Sequence, residues 1–265
     1  MNSVAKLYDK LFFLNSKRKN EGPYPIHKSL SYEDKDINSL YDFILDKFDI
    51  PQNGLALDCG CGVGFGSFQI SKKYPELKIQ GISLSEQEIN LASELAIKNN
   101  HATNCSFKVQ SFDDLHADQY DCIVAIESLK HSPNIENTMN VLHKALRPNG
   151  RLYIVEDVGK NTIDNFASRR QCKDWKLPKI CTTKDYLDGN KFSNKDIVNM
   201  TPFLKTPNII LVFLRILLFE ILVGLDFLGI KKFPSASITR GGFYQELLYA
   251  TGKLEYLILI ARKAS

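Results

Sequence analysis

The chain has 265 residues, of which 44% are hydrophobic and 24% are charged, a composition that excludes a disordered or fibrous protein. This length accommodates one domain with an added cap or insertion, and it excludes an assembly of several large domains. The formal net charge of +4 is small for a dedicated nucleic-acid-binding protein, so nucleic acid is disfavoured as a partner.

The N-terminal segment and the cysteines bear on the compartment. Residues 1–39 are predicted to form a helical cap, and their apolar residues are interrupted by lysines and an arginine, unlike the continuous apolar run of a signal peptide. The six cysteines include no CxxC pair, so neither a zinc site nor a disulfide framework is indicated. These features predict a cytoplasmic protein with reduced thiols and no metal site.

Short apolar runs alternate with amphipathic segments between residues 54 and 157. The runs are predicted as β-strands at 55–58, 77–83, 105–109, 120–126 and 151–155, with helices at 67–74, 86–99 and 134–146. This alternation is typical of an α/β, Rossmann-like, doubly wound sheet of mostly parallel strands. Ligands of such sheets bind outside the carboxyl ends of the strands, so the segments that follow strands are candidate sites.

The alternation stops after residue 157 and resumes near residue 241. Residues 158–205 carry ten Lys and Arg against five Asp, which indicates either a solvated surface or a basic rim for an anionic group or membrane. A helix at 242–253 and an antiparallel strand at 254–262 are predicted to end the chain. We therefore predict the following organisation: a core of 40–157 and 241–265, and a basic and apolar lid at 158–240.

A glycine-rich loop follows the first predicted strand and precedes a helix. That strand ends in Asp58, and Gly60, Gly62 and Gly64 follow at alternate positions. Glycines permit sharp turns and close approach of a ligand. A dinucleotide site would instead show GxGxxG and an acid after the second strand, which here ends in Ser83, so NAD fits poorly. An acid before the loop would repel a pyrophosphate but can accept hydrogen bonds from a cationic group.

This loop resembles motif I of the class I S-adenosylmethionine-dependent methyltransferases. Asp58 stands at the acidic position of the motif, and Gly60, Gly62 and Gly64 stand at its glycines. The resemblance covers about residues 40–157 and implies S-adenosylmethionine as the cofactor, bound through these four residues. A tight turn in an unrelated α/β domain is the alternative.

The segments after the second and third strands resemble the cyclopropane synthase, sterol and tocopherol methyltransferase branch of that family. The resemblance implies these cofactor-binding residues: Ser83, Leu84 and Gln87 on the ribose side, and Ser111, Phe112 and Asp113 on the adenine side. Packing in the core is an equally good interpretation of Phe112 by itself.

The segment after the fourth strand resembles the acceptor side of sterol and tocopherol methyltransferases, with matches at Glu127, His131 and Pro133. Glu127 is implied to contact both the cofactor and the acceptor. A carboxylate there can stabilise a carbocation, and His131 can serve as a general base toward a hydroxyl or phenol. Cyclopropane synthases have a glutamate where this chain has Lys130, which argues against lipid cyclopropanation. Capping of the next helix is the non-catalytic alternative.

The apolar stretch at 206–230 favours a lipophilic acceptor. Its charged residues Arg215, Glu220 and Asp226 would each cost about 2.5–3.5 kcal/mol at the centre of a bilayer, so a spanning helix is not expected. A lid that lines an apolar pocket is the first interpretation; a membrane-docking helix, and core packing or an oligomer contact, are the alternatives. The preceding basic segment, which contains Arg169 and Arg170, can bind an anionic head group.

We predict a methyltransferase that moves the methyl group of S-adenosylmethionine to carbon of a small lipophilic acceptor, such as an isoprenoid or related lipid. Glu127, His131 and Tyr244 are the predicted catalytic residues, with Tyr244 offering a ring or hydroxyl near the reacting carbon. The alternatives are O- or N-methylation of a phenol or amine, and a membrane-docked binding protein with a degenerate methyltransferase domain. Peripheral membrane contact through 206–230 is left open.

Overall fold

A computed structural model describes Lys6 and residues 37–101, 103–188, 192–204, 208–230, 233 and 235–265. The predicted N-terminal cap at 1–39 lies almost entirely outside the described residues. The strands have these bounds: β1 Gly54–Cys59, β2 Leu77–Ser83, β3 Cys105–Val109, β4 Tyr120–Ile126, β5 Leu146–Gly159, β6 Phe192–Asn199 and β7 Leu254–Lys263.

Helices connect and cover these strands. Their bounds are α1 Ile37–Asp46, α2 Phe65–Lys73, α3 Glu86–Lys98, α4 Ile135–Ala145, α5 Phe166–Trp175, α6 Thr183–Leu187, α7 Ile209–Phe227 and α8 Ala236–Ala250. Short 3₁₀ turns lie at Leu129–His131 and Thr201–Phe203. The predicted helices of the first half of the chain agree with α2, α3 and α4 to within two residues at each end.

Within the described ranges the strands form one sheet of seven, in the order β3-β2-β1-β4-β5-β7-β6. Strands β1 to β5 pair in parallel, and β7 is antiparallel to both of its neighbours, β5 and β6. The prediction of a mostly parallel, Rossmann-like sheet with an antiparallel C-terminal strand is confirmed.

Strand β6 lies inside the range 158–240, which the sequence pattern assigned to a lid. Most of its side chains are exposed, because it is the edge strand of the sheet. An exposed edge strand does not show the apolar run that marks the buried strands. Strand β6 therefore belongs to the sheet, and the prediction of a lid applies only to the helices of the range 158–240.

Each face of the sheet packs against its own set of helices. One face packs against α1, α2 and α8 through a cluster that includes Tyr41, Ile70 and Leu248. The other face packs against α4 and α6 through a cluster that includes Met139 and Tyr186. Covering both faces leaves the carboxyl ends of the parallel strands as the rim where side chains of several strands meet.

Strand β5 is longer than the predicted strand at 151–155. Its first residue, Leu146, already pairs with Tyr120 of β4, and its last, Gly159, pairs with Leu254 of β7. The extension matters for function because it places Glu156 and its neighbour at the carboxyl end of β5, inside the sheet.

Helix α7 lies on α8 and presents much of its apolar surface outward. Val212 and Ile216 are buried against Tyr244 of α8, whereas most of its other large apolar side chains are exposed. This arrangement differs from the expected lid, whose apolar side chains would line a pocket. A membrane-crossing helix is not found among the residues that the structure describes.

The packing around Gly81 provides a test of the fold. A Cβ added at Gly81 would lie 2.6 Å from Phe107 Cδ1 and 2.9 Å from Cys61 Sγ. We expect Gly81→Ala to lower the free energy of unfolding by about 1–3 kcal/mol through overpacking. The matched control is Gly224→Ala in α7, where a Cβ meets nothing within 4 Å and helix propensity favours Ala by about 1 kcal/mol. Urea denaturation of both variants measures the two effects, and equal effects would contradict this packing.

Candidate active site

The glycine loop between β1 and α2 has the backbone conformation that its glycines permit. Gly60, Gly62 and Gly64 have φ angles of 84°, 52° and 83°, in the left-handed region that other residues rarely adopt. The Gly60 and Cys61 amides both donate to the Ile82 carbonyl at 2.9 Å. These bonds tie the loop to the end of β2.

The glycines differ in what surrounds them. A Cβ at Gly60 would lie 2.4 Å from the Ser128 Cβ, whereas a Cβ at Gly62 would meet, among the described residues, only Glu88 Oε1, at 3.9 Å. Gly60 therefore permits the segment after β4 to pack closely, while Gly62 is less crowded by the residues that the structure describes. Positive-φ backbone of this kind fits a cofactor that approaches the main chain closely.

Asp58 lies beneath this loop and is buried, with 4% of its surface exposed. Its Oδ2 accepts a hydrogen bond from the Ser67 hydroxyl of α2 at 2.6 Å. Burial raises the pKa of this carboxyl to about 6, and the bonds from Ser67 partly offset that shift. One carboxylate oxygen thus anchors the loop to α2, and direct contact of Asp58 with a cationic ligand stays a prediction.

The ribose-side candidates lie at the end of β2 and the start of α3. Ser83 donates to Glu88 Oε2 at 2.8 Å, and Ser85 caps α3 by accepting from the Glu88 amide at 3.2 Å. Gln87 is exposed, whereas Glu88 is buried and faces the loop. Glu88 is not among the residues predicted from the sequence, although the Ser-x-x-Glu spacing from Ser85 is the signature of a capping residue with an acid one turn later.

The adenine-side candidates follow β3 and are partly buried. The Asp113 amide donates to the Ser111 hydroxyl at 3.2 Å, and its carboxylate accepts from the Thr138 hydroxyl of α4. Phe112 packs against the core cluster of the α4 face. The segment is therefore held in place by α4, and its contacts with a cofactor stay a prediction.

The centre of the site is a buried lysine that contacts three carboxylates. Lys130 Nζ lies 3.1 Å from Glu127 Oε2, 3.1 Å from Glu156 Oε1 and 2.9 Å from Asp157 Oδ2. All four residues are buried. The Lys130 ammonium also lies 5.6 Å from the centre of the Trp175 ring. We refer to Glu127, Lys130, Glu156 and Asp157 as the carboxylate cluster.

Hydroxyl and amide groups complete the carboxylate cluster. The Tyr256 hydroxyl donates to Glu127 Oε1 at 3.0 Å, and the Tyr249 hydroxyl donates to Asp157 Oδ1. Gln245 Nε2 donates to Asp157 Oδ2 at 2.6 Å. These donors come from α8 and β7, so the C-terminal part of the chain closes the network that β4 and β5 begin.

Glu127 occupies a strained position that brings the carboxylate cluster next to the glycine loop. Its φ of 50° costs a non-glycine residue roughly 1–2 kcal/mol. The Glu127 amide donates to the Val155 carbonyl at 2.8 Å, and the next hydroxyl, of Ser128, donates to the Cys59 carbonyl at 2.5 Å. These bonds join the end of β4 to the end of β1.

Burial alters the protonation of two groups at this site. Burial raises the pKa of the Glu156 carboxyl to about 7, against the lowering effect of Lys130. Burial, with a contribution from the Lys130 charge, lowers the pKa of His131 to about 3. His131 is therefore neutral at physiological pH, and its role as a general base stays a prediction.

Tyr244, the third predicted catalytic residue, has partners outside the carboxylate cluster. Its hydroxyl donates to Glu220 Oε1 of α7 at 2.7 Å, and Arg240 also contacts Glu220 at 2.7 Å. The arginines proposed for an anionic head group are engaged as well: Arg169 pairs with Asp164 at 2.7 Å and Arg170 lies 3.7 Å from Glu220. In the structure Tyr249, rather than Tyr244, joins the cluster.

Two of the cluster carboxylates are not among the site residues predicted from the sequence. Glu156 and Asp157 directly follow the apolar run 152–155, so they lie at the carboxyl end of β5, where ligands of such sheets bind. That position was the available signal. Their convergence on Lys130 depends on the fold. Within the described ranges no group of three or more His, Cys, Asp or Glu residues is arranged to hold a metal ion.

A match to a protein-family model identifies the family of this chain. A family model described as a methyltransferase domain matches residues 52–204, which is more than half of the chain. The chain belongs to this methyltransferase family. The family is S-adenosylmethionine-dependent, which confirms the family and the cofactor predicted from the glycine loop.

Curated relatives align with part of this methyltransferase. A sterol 24-C-methyltransferase of Debaryomyces hansenii is 30% identical over 125 residues, which cover 46% of this chain and 33% of the relative. A tocopherol O-methyltransferase of Arabidopsis thaliana is 29% identical over 146 residues, which cover 50% of this chain and 41% of the relative. The chain thus matches less than half of the length of either relative.

Solved structures match the methyltransferase fold over nearly the whole chain. Geranyl diphosphate C-methyltransferase from Streptomyces coelicolor, in complex with Mg²⁺, geranyl diphosphate and S-adenosyl-L-homocysteine, has a TM-score of 0.73 at 14% identity and covers 100% of this chain and 99% of its own. The cyclase SpnF has a TM-score of 0.70 at 19% identity, with 98% and 96% covered. At these identities the likeness shows the fold alone.

The raised pKa of Asp58 provides a test of this site in the methyltransferase. Between about pH 4 and pH 6 the folded state holds a proton that the unfolded state has lost, so the stability from that proton declines as pH rises through this window. Asp58→Asn keeps an acceptor for Ser67 and removes the charge. We expect the variant to match the wild type near pH 4 and to exceed its free energy of unfolding above pH 6, by about 3 kcal/mol at most.

Urea denaturation between pH 4 and pH 7 measures this difference. The control is Asp164→Asn, because Asp164 is exposed and its pKa is lowered by Arg169. A parallel pH dependence for wild type and Asp58→Asn would contradict the buried, proton-holding carboxyl.

Proposed function

We propose that the protein transfers the methyl group of S-adenosylmethionine to a carbon of a small lipophilic acceptor of isoprenoid type. The observation that supports this most is the carboxylate cluster, which holds three carboxylates against one ammonium beside the glycine loop. The cluster is buried, so its excess negative charge acts in a medium that screens it poorly.

The residues that would hold the cofactor are the glycine loop, Ser83 at the end of β2, Glu88 in the first turn of α3, and Asp113 after β3. When bound there, S-adenosylmethionine supplies an electrophilic methyl group. The positive-φ glycines let the main chain approach the ligand. Glu88 places a buried carboxylate within 3.9 Å of the Cβ position of Gly62, where it can accept hydrogen bonds from hydroxyl groups.

The carboxylate cluster suits an acceptor that becomes positively charged. Methylation of a carbon–carbon double bond leaves a carbocation on the acceptor, which must be stabilised and then lose a proton. A carboxylate about 6 Å away contributes about 3 kcal/mol at an effective dielectric constant of about 20, which corresponds to roughly a hundredfold in rate. Glu127 is the member of the cluster whose chain neighbour, Ser128, donates to the Cys59 carbonyl just before the glycine loop, so it is the proposed proton acceptor.

O-methylation of a phenol is the second candidate, because a tocopherol O-methyltransferase is among the relatives. It requires a base at the phenol oxygen, and Glu127 rather than the weakly basic His131 would fill that role. Sterol 24-C-methyltransferase and geranyl diphosphate C-methyltransferase support the first candidate, in which the acceptor carbon carries the new methyl group.

The reaction is tested directly with methyl-labelled S-adenosylmethionine. We expect calorimetric titration to show binding of the cofactor, and mass spectrometry to show a labelled product from one member of a panel of geranyl diphosphate, a sterol and tocopherol. Fragmentation of the product distinguishes a methyl group on carbon from one on oxygen. Absence of cofactor binding would overturn the proposal and favour a degenerate domain used for interaction.

Glu127→Gln tests the proposed proton acceptor. The amide keeps the size of the side chain but cannot take a proton, so we expect kcat to fall by at least 100-fold, in line with the contribution of a positioned base. Calorimetry should show nearly unchanged cofactor affinity. The control is Glu136→Gln, because Glu136 is an exposed residue of the first turn of α4. Turnover within a few-fold of wild type for Glu127→Gln would remove its catalytic role.

A milder variant separates positioning from proton transfer. Tyr256→Phe removes the hydrogen bond to Glu127 and leaves the carboxylate, so we expect a smaller loss in kcat than for Glu127→Gln. Tyr153→Phe is the matched control, because Tyr153 is as deeply buried as Tyr256, at 1% against 0% exposed, and its ring stacks on Phe48. Equal effects of the two tyrosine variants would contradict the positioning role of Tyr256.

A further inference from the structure

Helix α7 carries a continuous apolar surface on its outer side. Large side chains stand at intervals of three and four residues, so they share one face. We call this set the apolar face: Ile210, Phe213, Leu214, Leu217, Leu218 and Ile221, each between 51% and 64% exposed. Beyond the helix, Leu228 and Ile230 are 68% and 67% exposed and extend the surface. Contiguous exposed apolar patches of this kind mark binding surfaces in folded proteins.

The opposite side of α7 is fixed to the rest of the protein. Val212 and Ile216 are buried against Tyr244, and Glu220 accepts bonds from Tyr244 and Arg240 at 2.7 Å each. The acidic residue in the middle of the helix is therefore turned inward and paired. This orientation leaves the apolar face without a carboxylate at its centre.

Positively charged residues stand within α7 and next to its ends in the sequence, and we call them the basic border. Arg215 is about half exposed, lies over the Phe243 ring at 5.6 Å and is 3.7 Å from Glu246. In the sequence Lys205 precedes the helix, and Lys231 and Lys232 follow Ile230 directly. Positive residues within and next to an apolar helix are complementary to the negative surface of a bilayer that contains anionic lipids.

We propose that the apolar face of α7 docks this protein on the surface of an anionic phospholipid bilayer. A helix of this kind lies in the plane of the interface with its apolar side buried about 5–10 Å deep. A second copy of the chain is the weaker occupant, because both copies would bring the same set of positive residues to one shared contact. Docking rests on α7 and its border, so it is independent of the reaction that the site performs.

Vesicle flotation tests the docking surface with the full-length protein. We expect the protein to float with vesicles of phosphatidylcholine containing about 30% phosphatidylserine, and to float less with phosphatidylcholine alone, because the basic border adds about 1 kcal/mol per lysine or arginine near an anionic surface. The variant Leu214→Glu/Leu217→Glu places two charges in the apolar face and should lose at least tenfold in the bound fraction.

The matched control is Ile97→Glu/Ile197→Glu, which adds the same charge at apolar residues of α3 and β6 that are 72% and 52% exposed. It should float like the wild type. Circular dichroism and S-adenosylmethionine binding should be equal in all three proteins, which separates lost docking from lost folding. Failure of the wild type to float, equal flotation with both vesicle types, equal loss in both variants, or a stable dimer disrupted only by the α7 variant would overturn the proposal.

Discussion

The site depends on the ion pairs that the buried ammonium of Lys130 makes with three carboxylates. The ammonium lies within 3.1 Å of these carboxylates, which come from the ends of two strands. Each contact at this distance is worth about 5 kcal/mol at an effective dielectric constant of about 20, against a desolvation cost of several kcal/mol per ion. Without the lysine the carboxylates would repel one another in a buried region. The three carboxylates can therefore remain charged and close together only while Lys130 lies between them.

This requirement links distant parts of the chain. Glu156 and Asp157 lie near the carboxyl end of β5, Tyr256 comes from β7, and the Lys130 ammonium lies over the Trp175 ring of α5. Trp175 in turn donates to the Ile238 carbonyl at 2.9 Å, and a Cβ at Gly241 would lie 2.3 Å from its ring. Helix α5 is thus held against α8 by close packing and by the ion pair of Arg240 with Asp174 at 2.8 Å.

Two surfaces with different physical character result from this packing. The carboxyl ends of the strands present buried polar groups, which suit chemistry on a molecule shielded from water. Helix α7 presents exposed apolar groups, which suit contact with another apolar phase. Helix α8 connects the two surfaces. Its residues Arg240 and Tyr244 bind Glu220 of α7, and its residues Tyr249 and Gln245 donate to the carboxylate cluster.

The sequence by itself determined the alternating strands and helices, the glycine loop with Asp58, and Glu127 after β4, because short-range periodicity and motif spacing are local properties. Only the tertiary structure decided the rest. In the structure Glu156 and Asp157 form ion pairs with Lys130, and the Tyr244 hydroxyl donates to Glu220. Glu88, rather than Gln87, lies beside the glycine loop. The tertiary structure also showed β6 as an edge strand and turned the apolar side of α7 outward. These features depend on contacts between residues far apart in the chain, and no local pattern encodes them.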